Sequence, residues 1–159
     1  MMLEQRIAEC QRMNRESLAV ISMDIDDFKA INDQYGHAMG DRLLAAVAGV
    51  IKRELRQMDL LTRYAGDEFV AILPMASGAM GLQIADRMRS AVENHKFAVR
   101  ADKIIQLRAS VGVACFPDDG ETTEELLTAA ARKMQTDKHS RKTILTLANA
   151  PVSSIDVLR

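Results

Sequence analysis

The sequence predicts an α+β domain, a mixed and mostly antiparallel sheet with surrounding helices. Three observations predict it. Strand-like apolar runs come both singly, as LAVISMDI over 18–25, and as a pair, LLTRY and FVAIL, closing on AGDE. Segments with helical spacing of apolar residues lie between them. The resulting order, αβααββαβαβ, lacks the strict strand–helix alternation of a doubly wound parallel sheet and places the helices on one face.

Each element has its own reason. LEQRIAECQRMN puts Leu3, Ile7 and Cys10 on one helical face. LAVISMDI reads as a buried strand ending at Asp24. DDFKAIND forms a short helix or turn that YGHAMG breaks. From Asp41, Leu43, Leu44, Val47, Val50, Ile51 and Leu55 recur at helical spacing. After the hairpin and the breaker stretch 74–78, GLQIADRMRSAVEN turns Leu82, Ile84, Ala85, Met88 and Val92 inward. IIQLRASVGVACF reads as one long strand ended by PDDG. TTEELLTAAARKMQTDK is a helix opened by Thr122 or Thr123, with Glu125 available for a capping box. TILTLA reads as a closing edge strand, and the residues from 147 on as a tail.

Composition narrows the function classes. A length of 159 residues allows one compact domain, taken here as residues 1–146. The net charge of −1 gives no general attraction to nucleic acid or to an anionic membrane, so any phosphate site must be local. Cys10 and Cys115 have no CxxC partner, and no apolar run is long enough for a bilayer span, so reduced thiols in the cytoplasm are the default. Aromatics are only 4% while Met is plentiful, which predicts an aliphatic, Met-filled core.

Two strand-like runs end on carboxylates, at Asp24 and at Asp67–Glu68. If the hairpin tip lies beside the end of strand 18–24, the three acids converge into a hard-oxygen site suited to Mg²⁺, which takes one or two carboxylates plus phosphate and water oxygens. Solvated turn acids are the bland alternative, and spacing alone does not choose.

DIDDFKAINDQYGHAMGD followed by RQMDLLTRYAGDEF resembles the GGDEF family of diguanylate cyclases, over residues 3 to 146. The resemblance implies a fold like the palm of polymerases and nucleotide cyclases. It implies that Asp24, Asp67 and the backbone carbonyl of Ile25 hold Mg²⁺ (or Mn²⁺), and that Asp67, with Glu68 beside it, serves catalysis as the base for a ribose 3′-hydroxyl. Asn32 and Asp41 would read the guanine of GTP, since a carboxylate accepts from the donors that guanine presents and adenine lacks. Their ordinary alternatives are an Asx turn and a helix N-cap. Lys29, Lys138 and Lys142 would face the phosphates; His37 reads as structural. Arg56 and Asp59 form RxxD, either a surface ion pair or the site where cyclic di-GMP inhibits, completed by Arg87 or Arg89.

The chain departs from the family's pattern in three places. The signature opens on Ala65 instead of Gly. The C-terminal pattern ADxALYxAKxxGRN has lost its Asp, Tyr and Gly, to Ala131, Gln135 and Arg141, and Lys133 stands at a small, packed position. A DxLTGLxNR stretch before the first helix is missing. The implied partners are GTP, cyclic di-GMP, a second copy of the domain across which two GTP condense, and a sensor region outside this chain; nucleic acid is not expected. The rival expectation is a degenerate domain that binds GTP or cyclic di-GMP without turnover.

Overall fold

The computed structural model describes residues 2–12 and 17–148; the side chains of Cys10, Gln11 and 143–148 fall outside that description, as does the tail from 149. Helix α1 (Met2–Arg12) leads into strand β1 (Leu18–Ile25), followed by α2 (Phe28–Tyr35) and α3 (His37–Glu54). The hairpin β2 (Leu60–Ala65) and β3 (Glu68–Pro74) precedes α4 (Gly78–Asn94). Strands β4 (Phe97–Arg100), β5 (Lys103–Ile105) and β6 (Ala109–Phe116) then lead to α5 (Thr123–Ala148). The main sheet has the order β2-β3-β1-β6 with every pairing antiparallel; β4 and β5 form a separate hairpin.

All eight residues of β1 are buried, so both faces of the strand need cover. Ala19, Ile21, Met23 and Ile25 face a core built with Phe28 of α2, Leu43, Leu44, Val47 and Ile51 of α3, and Ile84, Ala85 and Met88 of α4. Leu18 and Val20 face the other way, onto Leu3 and Ile7 of α1 and Leu126, Ala129 and Ala130 of α5. Helices therefore cover both faces, not the one predicted. The physical reason is the unbroken apolar run of β1: such a strand is stable only between two layers, where each large aliphatic side chain contributes roughly 1.5–3 kcal/mol.

Four further expectations change. Leu82 of α4 is exposed, because the helical phase that buries Ile84, Ala85, Met88 and Val92 puts Gly81 on the core face and turns Leu82 outward. Helix α3 starts at His37, four residues before Asp41, because Gly36 alone, at φ 86°, makes the break from α2. The expected long strand divides into β5 and β6, since β5 turns back onto β4 and Leu107 dips into the core between them. TILTLA is not an edge strand; it continues α5. No Gly or Pro occurs between Gly120 and Pro151, so nothing stops the helix there. Its start is as predicted: Thr122 Oγ1 accepts from the N–H of Glu125 at 3.2 Å, and Glu125 Oε2 accepts from the N–H of Thr122 at 3.2 Å.

Side chains take the place of a closing strand. The outward N–H groups of β6 donate to carboxylates: Ala109 to Glu93 at 3.3 Å, Val111 to Asp137 at 2.9 Å and Cys115 to Asp119 at 2.8 Å. Capping edge donors in this way blunts an otherwise sticky strand. The same contacts account for two of the unusual residues of α5, Lys133 and Arg141. Lys133 pairs with Asp119 at 2.9 Å, and its charge, with the Cys115 N–H, keeps that carboxyl below its usual range despite burial. Asp137 serves Val111, and Arg141 donates to the Ala109 carbonyl and to Glu93. Gly112 lets α5 sit directly on β6, since a Cβ there would meet the Ala130 carbonyl at 2.2 Å.

Candidate active site

The register of β1 on β3 sets Asp24 opposite Glu68, and the Ile25 N–H points at the Asp67 carbonyl at 3.4 Å. The hairpin tip thus meets the end of β1 and brings Asp24, Asp67 and Glu68 together. Ile25 is buried as the last residue of β1. The left-handed conformation in the signature turn belongs to Gly66, at φ 50°; Ala65 has no positive φ, so its methyl costs no backbone strain.

Asp24 is buried, and its two oxygens differ. Oδ2 accepts from Lys138 Nζ at 2.9 Å, while Oδ1 is buried with no hydrogen-bond partner. Burial, then the close approach of the Asp24 carboxylate and its charge, push the Asp67 carboxyl up to about 6 from 3.8. Burial and the Asp24 charge also raise Glu68. The bond to Asp24, with the charges of Asp26 and Asp67, raises Lys138. Asp26 is a fourth acid that sequence reasoning missed. It accepts from Ser110 Oγ at 2.7 Å, its N–H donates to the Arg108 carbonyl at 2.8 Å, and burial raises its carboxyl. The signal was the two-residue spacing of Asp24 and Asp26, which sets both on one side of the strand's end.

These donors fit a hard divalent cation. A buried carboxylate oxygen without a partner, and a neighbouring carboxyl, Asp67, whose ionisation the Asp24 charge opposes, both gain from a cation between them. Among the described residues no group of three or more His, Cys, Asp and Glu is placed to hold a metal ion by itself. A cation here would need phosphate and water oxygens to complete its shell, as Mg²⁺ does at sites with one or two carboxylates.

Neither ordinary alternative holds for Asn32 and Asp41. Asn32 lies inside α2, and its Oδ1 is buried and unpartnered rather than closing an Asx turn. Asp41 lies in the second turn of α3, where it caps nothing, and its exposed carboxylate approaches Arg63 at 3.6 Å. Gly40 sits between them; a Cβ on it would come within 1.8 Å of Asn32 Oδ1. Lys29 is exposed in the first turn of α2, just after Asp27 at φ 53°. Lys142 is exposed on α5, four residues beyond Lys138, and His37 opens α3 at the surface.

RxxD is more than a surface ion pair. The Asp59 side chain is fully buried and accepts from the Arg56 N–H at 2.7 Å, from Nη2 at 2.8 Å and from Nε at 3.1 Å. Arg56 Nη2 also donates to the Pro74 carbonyl at 2.8 Å. Arg87 reaches the Glu54 carbonyl and its carboxylate, beside Arg56, whereas Arg89 turns to Asp86 and Asp137. Of the two candidates it is Arg87 that lies next to RxxD. A groove of about 640 Å³ between α3 and β2 runs from Arg56 to Arg63, large enough for a nucleotide.

Residues 1–143 match the family described as diguanylate cyclase, GGDEF domain. The chain is 37% identical over 132 residues, 83% of its length, to the bifunctional diguanylate cyclase/cyclic di-GMP phosphodiesterase MucR of Pseudomonas aeruginosa. It spans only 19% of that protein, and 36% of the diguanylate cyclase A of Treponema denticola. Its fold is similar to the isolated GGDEF domain of TpbB from Pseudomonas aeruginosa, with a TM-score of 0.82 at 34% identity over 87% of this chain and 80% of that one. The GGDEF domain of DgcB from Caulobacter crescentus, solved in complex with cyclic di-GMP, gives a TM-score of 0.79 at 25% identity over 87% and 81%.

Proposed function

The chain belongs to the GGDEF family of diguanylate cyclases, and from that premise we propose that it condenses two GTP into cyclic di-GMP and two pyrophosphates across a pair of domains. The observation that carries this reading is the Asp24–Asp67 pair, two carboxylates at a strand end, one with a buried oxygen in want of a partner. Each domain holds one GTP. Asn32 and Asp41 take the guanine edge, Asp41 accepting from the ring donors and rejecting adenine, whose N1 would face a lone pair. Lys29, Lys138 and Lys142 supply positive charge toward the triphosphate. Asp67 accepts the proton of the 3′-hydroxyl; that oxygen then bonds to the α-phosphorus of the facing GTP, and the bond to pyrophosphate breaks. The reciprocal step closes the ring. Asp24, Asp67 and the Ile25 carbonyl would hold Mg²⁺ or Mn²⁺, which when bound would stabilise charge on the phosphoryl oxygens and make the hydroxyl more acidic. Glu68, opposite Asp24, adds negative charge to the same edge.

Product inhibition is assigned to Arg56, Asp59 and Arg87, on the strength of Arg87 lying beside RxxD and of the DgcB complex with cyclic di-GMP. Contacts of the altered C-terminal helix support the cyclase reading. Lys133, Asp137 and Arg141 each make a defined contact that holds α5 in place, and Lys138 still reaches the carboxylate site.

The test is synthesis. The protein is incubated at high concentration with Mg²⁺ and GTP, as it stands and fused to a dimerising coiled coil, and the nucleotides are identified by mass. Cyclic di-GMP is expected at least in the fusion; a folded, paired protein that makes none refutes the cyclase reading. A second expected result concerns guanine. Gly40→Ala forces Asn32 out of place, so GTP affinity falls by about tenfold, one to two lost hydrogen bonds, with little change in ATP binding. Equal GTP affinity by calorimetry in the two proteins removes Asn32 from the guanine site.

A further inference from the structure

Lys138 stands where a cation is wanted. Its Nζ lies 2.9 Å from Asp24 Oδ2, and the pair is shielded, with side chains 26% and 12% exposed. The same ammonium lies within the electrostatic reach of Asp26 and Asp67. The backbone that carries it is fixed on both sides. One residue before it, Asp137 accepts from the Val111 N–H at 2.9 Å; three residues after it, Arg141 donates to the Ala109 carbonyl and to Glu93. Helix α5 therefore cannot carry Lys138 away without losing both anchors. The four-carbon stem of the side chain is the one flexible link, and an ammonium is a mobile point charge.

We infer that Lys138 is a built-in counter-ion of the metal carboxylate: in the nucleotide-free domain it occupies Asp24 and keeps divalent cations off, and it yields Asp24 only when a triphosphate offers its ammonium phosphate oxygens instead. The inference rests on the proposed reading of Asp24 as a metal ligand. A divalent cation seated at Asp24 with Lys138 still in place would lie within a few ångströms of a like charge, in a partly shielded site. With the triphosphate present, the ammonium has a competing anionic partner and the repulsion is relieved. Metal and nucleotide then bind with positive coupling, and the coupling is reciprocal. The domain thereby avoids charging its active site with metal until substrate arrives.

The experiment measures Mn²⁺ binding by the paramagnetic signal of the free ion, without nucleotide and with 3′-deoxy-GTP, which has no hydroxyl to react. Wild type is expected to bind Mn²⁺ weakly alone and far better with the nucleotide. Lys138→Met, which keeps the stem and drops the charge, is expected to bind Mn²⁺ alone at least about tenfold more tightly and to show reduced coupling. Lys138→Arg keeps the charge and should behave as wild type. Lys138→Met with wild-type affinity for Mn²⁺ alone overturns the inference, as does Lys138→Arg binding as tightly as the Met variant. Asp24→Asn combined with Lys138→Met is expected to lose the gained affinity. If it does not, the metal is not at Asp24, and the site assignment falls along with the inference. Circular dichroism verifies folding; should the Met variant not fold, Lys138→Gln carries the same comparison.

Discussion

Replacing Asp67 by Asn is expected to stabilise the nucleotide-free domain at pH 7.5 while abolishing cyclic di-GMP synthesis. The Asp67 carboxyl is raised from 3.8 to about 6 by burial and by the neighbouring Asp24. A carboxyl with a raised pKa in the folded state binds its proton more tightly there than in the unfolded chain. Its contribution to stability is therefore complete below about pH 4 and is lost as the pH rises through about 6. Above that, an ionised Asp67 faces Asp24 at a cost that an amide does not carry. Because Asp67 is partly open to solvent, which screens the repulsion, the gain in the Asn variant is about 1 kcal/mol. Chemical denaturation at several pH values tests this: the difference between the proteins should be small near pH 4 and grow to a plateau above pH 6. The catalytic loss is complete in the same reading, since an amide cannot take the 3′-hydroxyl proton. A variant less stable than wild type at pH 7.5, or one that retains near-normal synthesis, removes Asp67 from this role.

That trade of stability for function was legible in the sequence only in outline. The convergence of Asp24 with Asp67 and Glu68 follows from one strand end and one hairpin turn, and local patterning predicts both. The capping box at Thr122 is equally local. What the sequence did not disclose depends on distant partners. Lys133 and Arg141 looked like damage to a helix, because the groups they serve lie 14 and 48 residues away in Asp119 and Glu93. The predicted closing strand failed for a related reason. TILTLA is as good a strand as a helix in composition, and the absence of any breaker before it decided for the helix. Asn32 and Asp41 lie between the two cases. Their capping roles were plausible from position, and only the start of α3 at His37 and the burial of Asn32 Oδ1 set those roles aside.

Burial also decides how the proposed inhibitory site must be tested. Arg56→Ala is the obvious variant, but it leaves the fully buried Asp59 carboxylate without its guanidinium partner. Breaking a buried ion pair by removing one member costs about 3 kcal/mol or more. It would also release the end of β3, which Arg56 holds through the Pro74 carbonyl. A loss of inhibition in that variant would therefore mix damage to the fold with loss of a ligand contact. Arg87 separates the two effects. It is more exposed, and its visible partners are the carbonyl and carboxylate of Glu54 at the end of α3. Arg87→Ala should leave the melting temperature nearly unchanged, within about 0.5 kcal/mol of stability, while product binds roughly tenfold more weakly, the worth of one charge-assisted hydrogen bond. Melting curves and cyclic di-GMP titrations on both variants are the measurements. If Arg87→Ala is inhibited as strongly as wild type, Arg87 only ties α4 to α3 and the product site loses its third residue. If Arg56→Ala melts like wild type, Asp59 finds another partner when Arg56 is gone, and the pair's burial is not what holds the RxxD turn.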